Sequence, residues 1–144
     1  MTNTQETQPV TAALVAEKAR MSFLPAYFGP RFFLRGETLV YAWLQRLSKN
    51  YEGGNWDYYT LSNGGFYMAP TMEGLLRIVV EGNGFVGNMS ADAAGIVVTL
   101  YTLGQLAREN HRINDVDNLI KRYHFLREFV YGHAERRMIF SAID

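Results

Sequence analysis

The chain has no cysteine, which excludes disulfides, thiolate metal sites and thiol nucleophiles and suits a reducing cytoplasm. It has no excess of charge of either sign, since 14 Lys and Arg balance 14 Asp and Glu. A general nucleic-acid binder carries surplus basic side chains to neutralise phosphates, and a protein imitating DNA carries a large acidic surplus. Neither surplus is present, so strong DNA binding and DNA mimicry are not expected. The opening MTNTQETQPV lacks the basic-then-apolar order of a secretory leader. The uncharged run from Ala93 to Ala107 falls short of the ~20 apolar residues a membrane span needs, and it contains Thr and Gln. Catalytic signatures are missing as well. There is no GxSxG, no P-loop, no zinc-binding HExxH and no Ser/His/Asp spacing, so no catalytic residue, metal ligand or cofactor is expected.

What is present is enough chain for one core: 144 residues, 48% hydrophobic. Residues 1–9 read as a flexible polar tail and 10–144 as a single domain. The most informative stretch runs from Glu52 to Pro70, EGGNWDYYTLSNGGFYMAP. Two aromatic-rich runs flank Asn63-Gly64, a pair that favours the positive φ of a two-residue hairpin turn. Such a turn sets Leu61 opposite Phe66, Thr60 opposite Tyr67 and Tyr59 opposite Met68. Side chains alternate along a strand, so Tyr59, Leu61, Phe66 and Met68 share one apolar face. Trp56, Tyr58, Thr60 and Tyr67 share the other, which is aromatic with polar tips. Two readings follow: both faces are core, or the polar-tipped face and its turn (Trp56, Tyr58, Asn63, Tyr67) meet a protein partner.

Around this hairpin the pattern predicts an α+β domain with a three-stranded, possibly four-stranded, antiparallel meander and four to five helices. Val10–Ala16 reads as a short strand, Glu17–Phe28 as a short helix interrupted by Pro25, and Arg31–Leu34 as a connector. A helix over Glu37–Tyr51 carries an apolar stripe of Leu39, Val40, Trp43, Leu44 and Leu47. Leu75–Val80 follows the hairpin as its third strand. Ser90 caps a central helix through Asn110, with Asp92 favourably placed in its first turn. Asn114 is expected to cap a helix through Tyr131, and Ala134–Ile143 forms the last one.

Gly82-Asn83-Gly84-Phe85-Val86-Gly87 is a literal GxGxxG, the spacing of dinucleotide-binding loops. Its context is wrong: the helix begins beyond the third glycine and no second parallel strand follows. The loop therefore reads as a glycine-rich link between strand and helix. None of the three histidines, His111, His124 and His133, stands in a zinc-binding spacing, and His111 and His124 read as solvated or capping residues. Of the carboxylates flanking the sheet (Glu52, Asp57, Glu73 and Glu81), Glu81 is the best candidate for function, because it follows a buried strand.

Three blocks, NWDYYTLSNGGFYMAP at 55–70, RIVVEGNGFVGNMSADAAGIV at 77–97 and REFVYGHAERRMIFSAID at 127–144, together with FLPAYFGPRFF at 23–33, resemble the ArdB/KlcA antirestriction family. The resemblance covers nearly the whole chain beyond the tail and is nearest the KlcA branch carried on conjugative plasmids. It implies a small antiparallel sheet surrounded by helices, a cytoplasmic bacterial protein, and protection of incoming plasmid or phage DNA from host type I restriction–modification enzymes. It supplies no catalytic motif. The implied partner is the restriction enzyme or an associated host factor, met by protein contact. The alternatives are a nucleotide-binding protein using Gly82–Gly87 with Glu81, and a protein that shields DNA by binding it directly.

Overall fold

The computed structural model describes residues 8–144, so most of the expected tail lies outside the described residues. Strands β1 (Ala12–Leu14), β2 (Trp56–Leu61) and β3 (Phe66–Pro70) form an antiparallel sheet in that order. Between β1 and β2 come a 3-10 turn at Glu17–Ala19, α1 (Arg20–Tyr27) and α2 (Phe33–Leu47). Strands β4 (Leu75–Val80) and β5 (Phe85–Ser90) form a separate two-stranded sheet. Helices α3 (Ala91–Glu109), α4 (Val116–Val130) and α5 (Arg136–Ile143) complete the chain. The α+β class is as expected, but the third strand does not extend the hairpin.

The reason lies in β5. Gly87 and Asn88 are poor strand formers, so the segment reads as a loop. Its pairing with β4, Val79 opposite Val86 and Arg77 opposite Asn88, makes it a strand. The Phe85 ring lies over Gly87, where a Cβ would come within 2.8 Å of it. The GxGxxG is thus a hairpin turn with the start of its return strand. Gly84 takes the positive φ (77°), and Asn83 Oδ1 accepts from the Phe85 N–H at 2.9 Å. Its glycines lead into strand β5 and not directly into a helix, so the geometry of a dinucleotide loop is missing.

The β2–β3 hairpin forms where expected, but its loop has three residues, Ser62–Gly64. The Leu61 N–H donates to the Gly65 carbonyl at 2.9 Å, and Gly64 holds a φ of 99°. This arrangement, a turn followed by a left-handed glycine, also suits Asn-Gly. The pairing moves by one residue, so Tyr59 faces Tyr67, Tyr58 faces Met68 and Thr60 faces Phe66. A shift of one carries every β3 side chain to the opposite face. Tyr67 therefore joins Tyr59, and Phe66 and Met68 join Trp56 and Tyr58.

Helix α3 is the hub. Its run from Ala93 to Leu100 is buried throughout, and it packs on α2, α4, α5 and both sheets. It closes the outer edge of β3, which would otherwise present unpaired backbone groups. Thr99 Oγ1 accepts from the Met68 N–H at 3.2 Å. Gly95 makes the approach possible, since a Cβ there would stand 2.3 Å from the Met68 carbonyl oxygen. Helix α2 runs from Phe33 to Leu47 rather than from Glu37 to Tyr51, with Gly36 inside it under the Phe28 ring. Asn114 does not cap α4: Asp115 occupies that position without a side-chain bond, at the end of a run of turns.

Candidate functional site

The N-terminus of α3 collects polar groups from three parts of the chain. Ser90 caps the helix, its Oγ accepting from the Ala93 N–H at 3.1 Å. Glu135, just ahead of α5, completes the cap from outside. One of its oxygens accepts from the Ser90 N–H at 2.9 Å, and the other accepts from the Ser90 hydroxyl. This is the reciprocity of a capping box, with the acid supplied from 45 residues away rather than three.

In the first turn of the helix, Asp92 accepts from the Tyr67 hydroxyl at 2.6 Å and from His133 Nε2 at 2.8 Å. The Glu135 N–H donates to His133 Nδ1 at 2.9 Å. Nδ1 is therefore the acceptor, and Nε2 carries the proton that reaches Asp92. Tyr67 stacks on Tyr59 at 4.8 Å and on Phe129 at 5.8 Å. Burial and the bond to Asp92 push the Tyr67 hydroxyl far above its ordinary range. Burial works to raise the Asp92 carboxyl, but the bonds from His133 and Tyr67 outweigh it and hold Asp92 below the usual carboxylate value.

A shallow cleft of about 520 Å³ opens beside this network, with Asp57, Tyr59, Glu73 and Asp92 on its walls. Asp57 and Glu73 thus share a cleft, while Glu81 stands apart, exposed at the β4–β5 turn. The arrangement offers little to catalysis. Both nitrogens of His133 are engaged and the Ser90 hydroxyl is committed to the cap, so no nucleophile stands beside a free base. Among the described residues no three His, Asp or Glu side chains converge as a metal site, and no helix is long and apolar enough to cross a membrane.

The hairpin residues singled out from the sequence do not share one exposed face. Trp56 (4% exposed) and Tyr58 (8%) point into the core on one side of the sheet, and Tyr67 (2%) points into it on the other. Trp56 donates its indole N–H to the Tyr51 hydroxyl at 2.8 Å. Tyr58 stacks on Phe23 at 5.2 Å and is covered by the Arg20 guanidinium at 4.4 Å. Asn63 is half-buried in the turn. Its Nδ2 donates to the Phe125 carbonyl at 2.9 Å and to Glu128 at 2.8 Å, binding the hairpin to α4. Sequence reasoning found Ser90 and Asp92 as helix-start residues but missed their long-range partners, His133 and Glu135, which no local spacing marks.

The geometry joins the sequence blocks at 55–70, 77–97 and 127–144 through Tyr67, Asp92 and His133, and comparison with known proteins covers the same ground. A family profile described as "Antirestriction protein" matches residues 49–144. A KlcA antirestriction protein of Escherichia coli is 61% identical over 142 residues, 99% of each chain. A second KlcA of Escherichia coli is 56% identical over the whole of both chains. A solved structure, 61% identical, aligns with a TM-score of 0.89 over 99% of this chain and 100% of its own. It belongs to work on KlcA and ArdB that describes a novel fold and antirestriction activity against type I DNA restriction systems in vivo but not in vitro. The chain belongs to the antirestriction protein family of KlcA and ArdB.

Proposed function

We propose that this protein is an antirestriction factor that protects incoming plasmid or phage DNA from the type I restriction–modification enzymes of a bacterial host, acting in the cytoplasm by protein contact and without catalysis. The observation that carries this reading is the full-length match to KlcA, in sequence and in structure. The balance of charge supports contact over imitation of DNA. The saturated network around Asp92 supports a non-enzymatic role. The activity described for the related structure, in vivo but not in vitro, favours a host factor standing between this protein and the restriction enzyme. In this reading Trp56, Tyr58 and Tyr67 serve partner binding indirectly, by packing the hairpin, while Asn63 positions its turn.

The test is phage plating on a host with an active type I system, with and without the protein. Unmodified phage should plate markedly better when it is present, and pre-modified phage should plate equally well in both cases. Unchanged plating of unmodified phage, with folded protein accumulating normally, would sink the proposal.

A further inference from the structure

A second cleft, of about 590 Å³, lies on another part of the surface, between the end of α2, strand β4 and the C-terminal residues of α5. Its floor is apolar, built from Val79, Ile143 and the stacked rings of Trp43 and Tyr101, whose centroids are 4.9 Å apart and nearly parallel. The Trp43 N–H donates to Gln105 at 3.0 Å, which holds the indole in place. Three cations stand at the rim: Arg46 and Lys49 from the end of α2, and Arg77 from β4. All three are exposed, and none makes an ion pair among the described residues.

Two of these cations are also restrained, Arg46 through its side chain and Arg77 through its backbone. The Arg46 guanidinium lies over the Trp43 ring at 5.3 Å, a stacking that restricts a side chain otherwise free to rotate. Asn50 ties the end of α2 to β4. Its Oδ1 accepts from the Arg77 N–H at 3.0 Å and its Nδ2 donates to the Leu75 carbonyl at 3.2 Å. The backbone positions that carry Arg77 and the α2 cations are therefore set before any ligand arrives, which lowers the ordering cost of binding.

We infer that this cleft takes an extended segment of a partner protein in which one or two apolar side chains are flanked by Asp or Glu. Apolar side chains fill the floor between Trp43 and Val79, and carboxylates meet Arg46, Lys49 and Arg77. A nucleic-acid backbone fits less well. Phosphates gain nothing from an apolar floor; Glu81 and Asp144 also border the cleft and limit the number of carboxylates it can take, although Asp144 lies 3.7 Å from Arg127. The inference rests on the reading that the protein works through a protein partner, and its test uses purified components, so its failure is distinct from a failure in plating.

The experiment is selection of a random peptide library displayed on phage against the full chain, followed by binding of the fluorescein-labelled consensus peptide to wild type and to Arg46→Gln/Arg77→Gln. Because those side chains are exposed and unpaired, the double variant should melt like wild type. The enriched peptides should share an apolar centre between acidic residues. The consensus peptide should quench or shift tryptophan emission and bind the double variant at least about tenfold more weakly. Arg31→Gln, in the connector before α2, should bind like wild type. No enrichment, enrichment without acidic residues, equal binding by the double variant, or tighter binding of a single-stranded oligonucleotide than of the peptide would each overturn the inference.

Discussion

The two clefts sit at opposite kinds of helix end and treat polar groups in opposite ways. At the start of α3 the buried polar side chains have internal partners: Ser90 with Glu135, and Asp92 with Tyr67 and His133. At the end of α2, Arg46, Lys49 and Arg77 converge with none. The contrast teaches how to separate architecture from candidate function here. A carboxylate whose hydrogen bonds are filled by the protein itself reports stability, whereas like charges gathered at one rim without forming an ion pair add little to the fold and call for an outside explanation.

The largest expected effect breaks the first region at its root. Gly95→Ala puts a methyl group against the Met68 carbonyl and forces α3 away from β3, which pulls Asp92 from Tyr67. Overpacking of this kind should cost about 3 kcal/mol, read as a fall in the denaturation midpoint at unchanged slope. Next comes Asp92→Asn. One amide oxygen replaces two carboxylate acceptors, and the new NH₂ faces either Tyr67 or His133 as donor against donor. A loss of about 2 kcal/mol is expected from urea denaturation at neutral pH. Tyr67→Phe leaves the His133 bond in place and should cost about 1 kcal/mol. A loss as large for Arg46→Gln/Arg77→Gln as for Asp92→Asn would erase the distinction between the clefts; the expected change is within about 0.5 kcal/mol of zero.

Acidification sharpens the same comparison. The Asp92 carboxyl titrates lower in the folded chain than in the unfolded one, so it contributes stability above the ordinary carboxylate range. That contribution fades as pH falls from about 4 downward. Glu109 behaves similarly, held down to about 2 by its paired bonds from Arg35, but it is exposed and its share should shrink in salt. Melting curves between neutral and acid pH at high salt should therefore show a smaller acid-side loss for Asp92→Asn than for wild type. Identical slopes would remove Asp92 as a source of stability.

Much of this fold was legible because its signals are local. Ser90 and the uncharged run behind it marked the central helix, and the turn residues of β2–β3 marked a hairpin. The hairpin's register was not, because Asn63-Gly64 suits a two-residue and a three-residue loop alike, and that single residue decides which side of the sheet Tyr67 occupies. Strand β5 was hidden for a different reason. Gly87 and Asn88 are weak strand residues, and only pairing with β4 and the ring of Phe85 make them one. The site was half legible. Asp92 was visible as a favourable charge at a helix start, while His133 and Glu135 reach it across 41 and 45 residues, distances at which spacing carries no information. The basic cleft was overlooked because Arg46, Lys49 and Arg77 are scattered along the chain and look like ordinary solvated cations until α2 and β4 meet at Asn50.

The borrowed cap on α3 also bears on the order in which the molecule assembles. The middle of that helix can form as soon as it packs on β3, yet its first turn gains its full set of partners only once Glu135 arrives from the far end of the chain. The first turn of the central helix thus depends on Glu135, a partner distant in sequence on which its middle does not rely. Its opening amides, from Ala91 to Ala93, should exchange with solvent together with the α4–α5 junction rather than with the rest of α3, so that Glu135 acts as a latch on the first turn of the core.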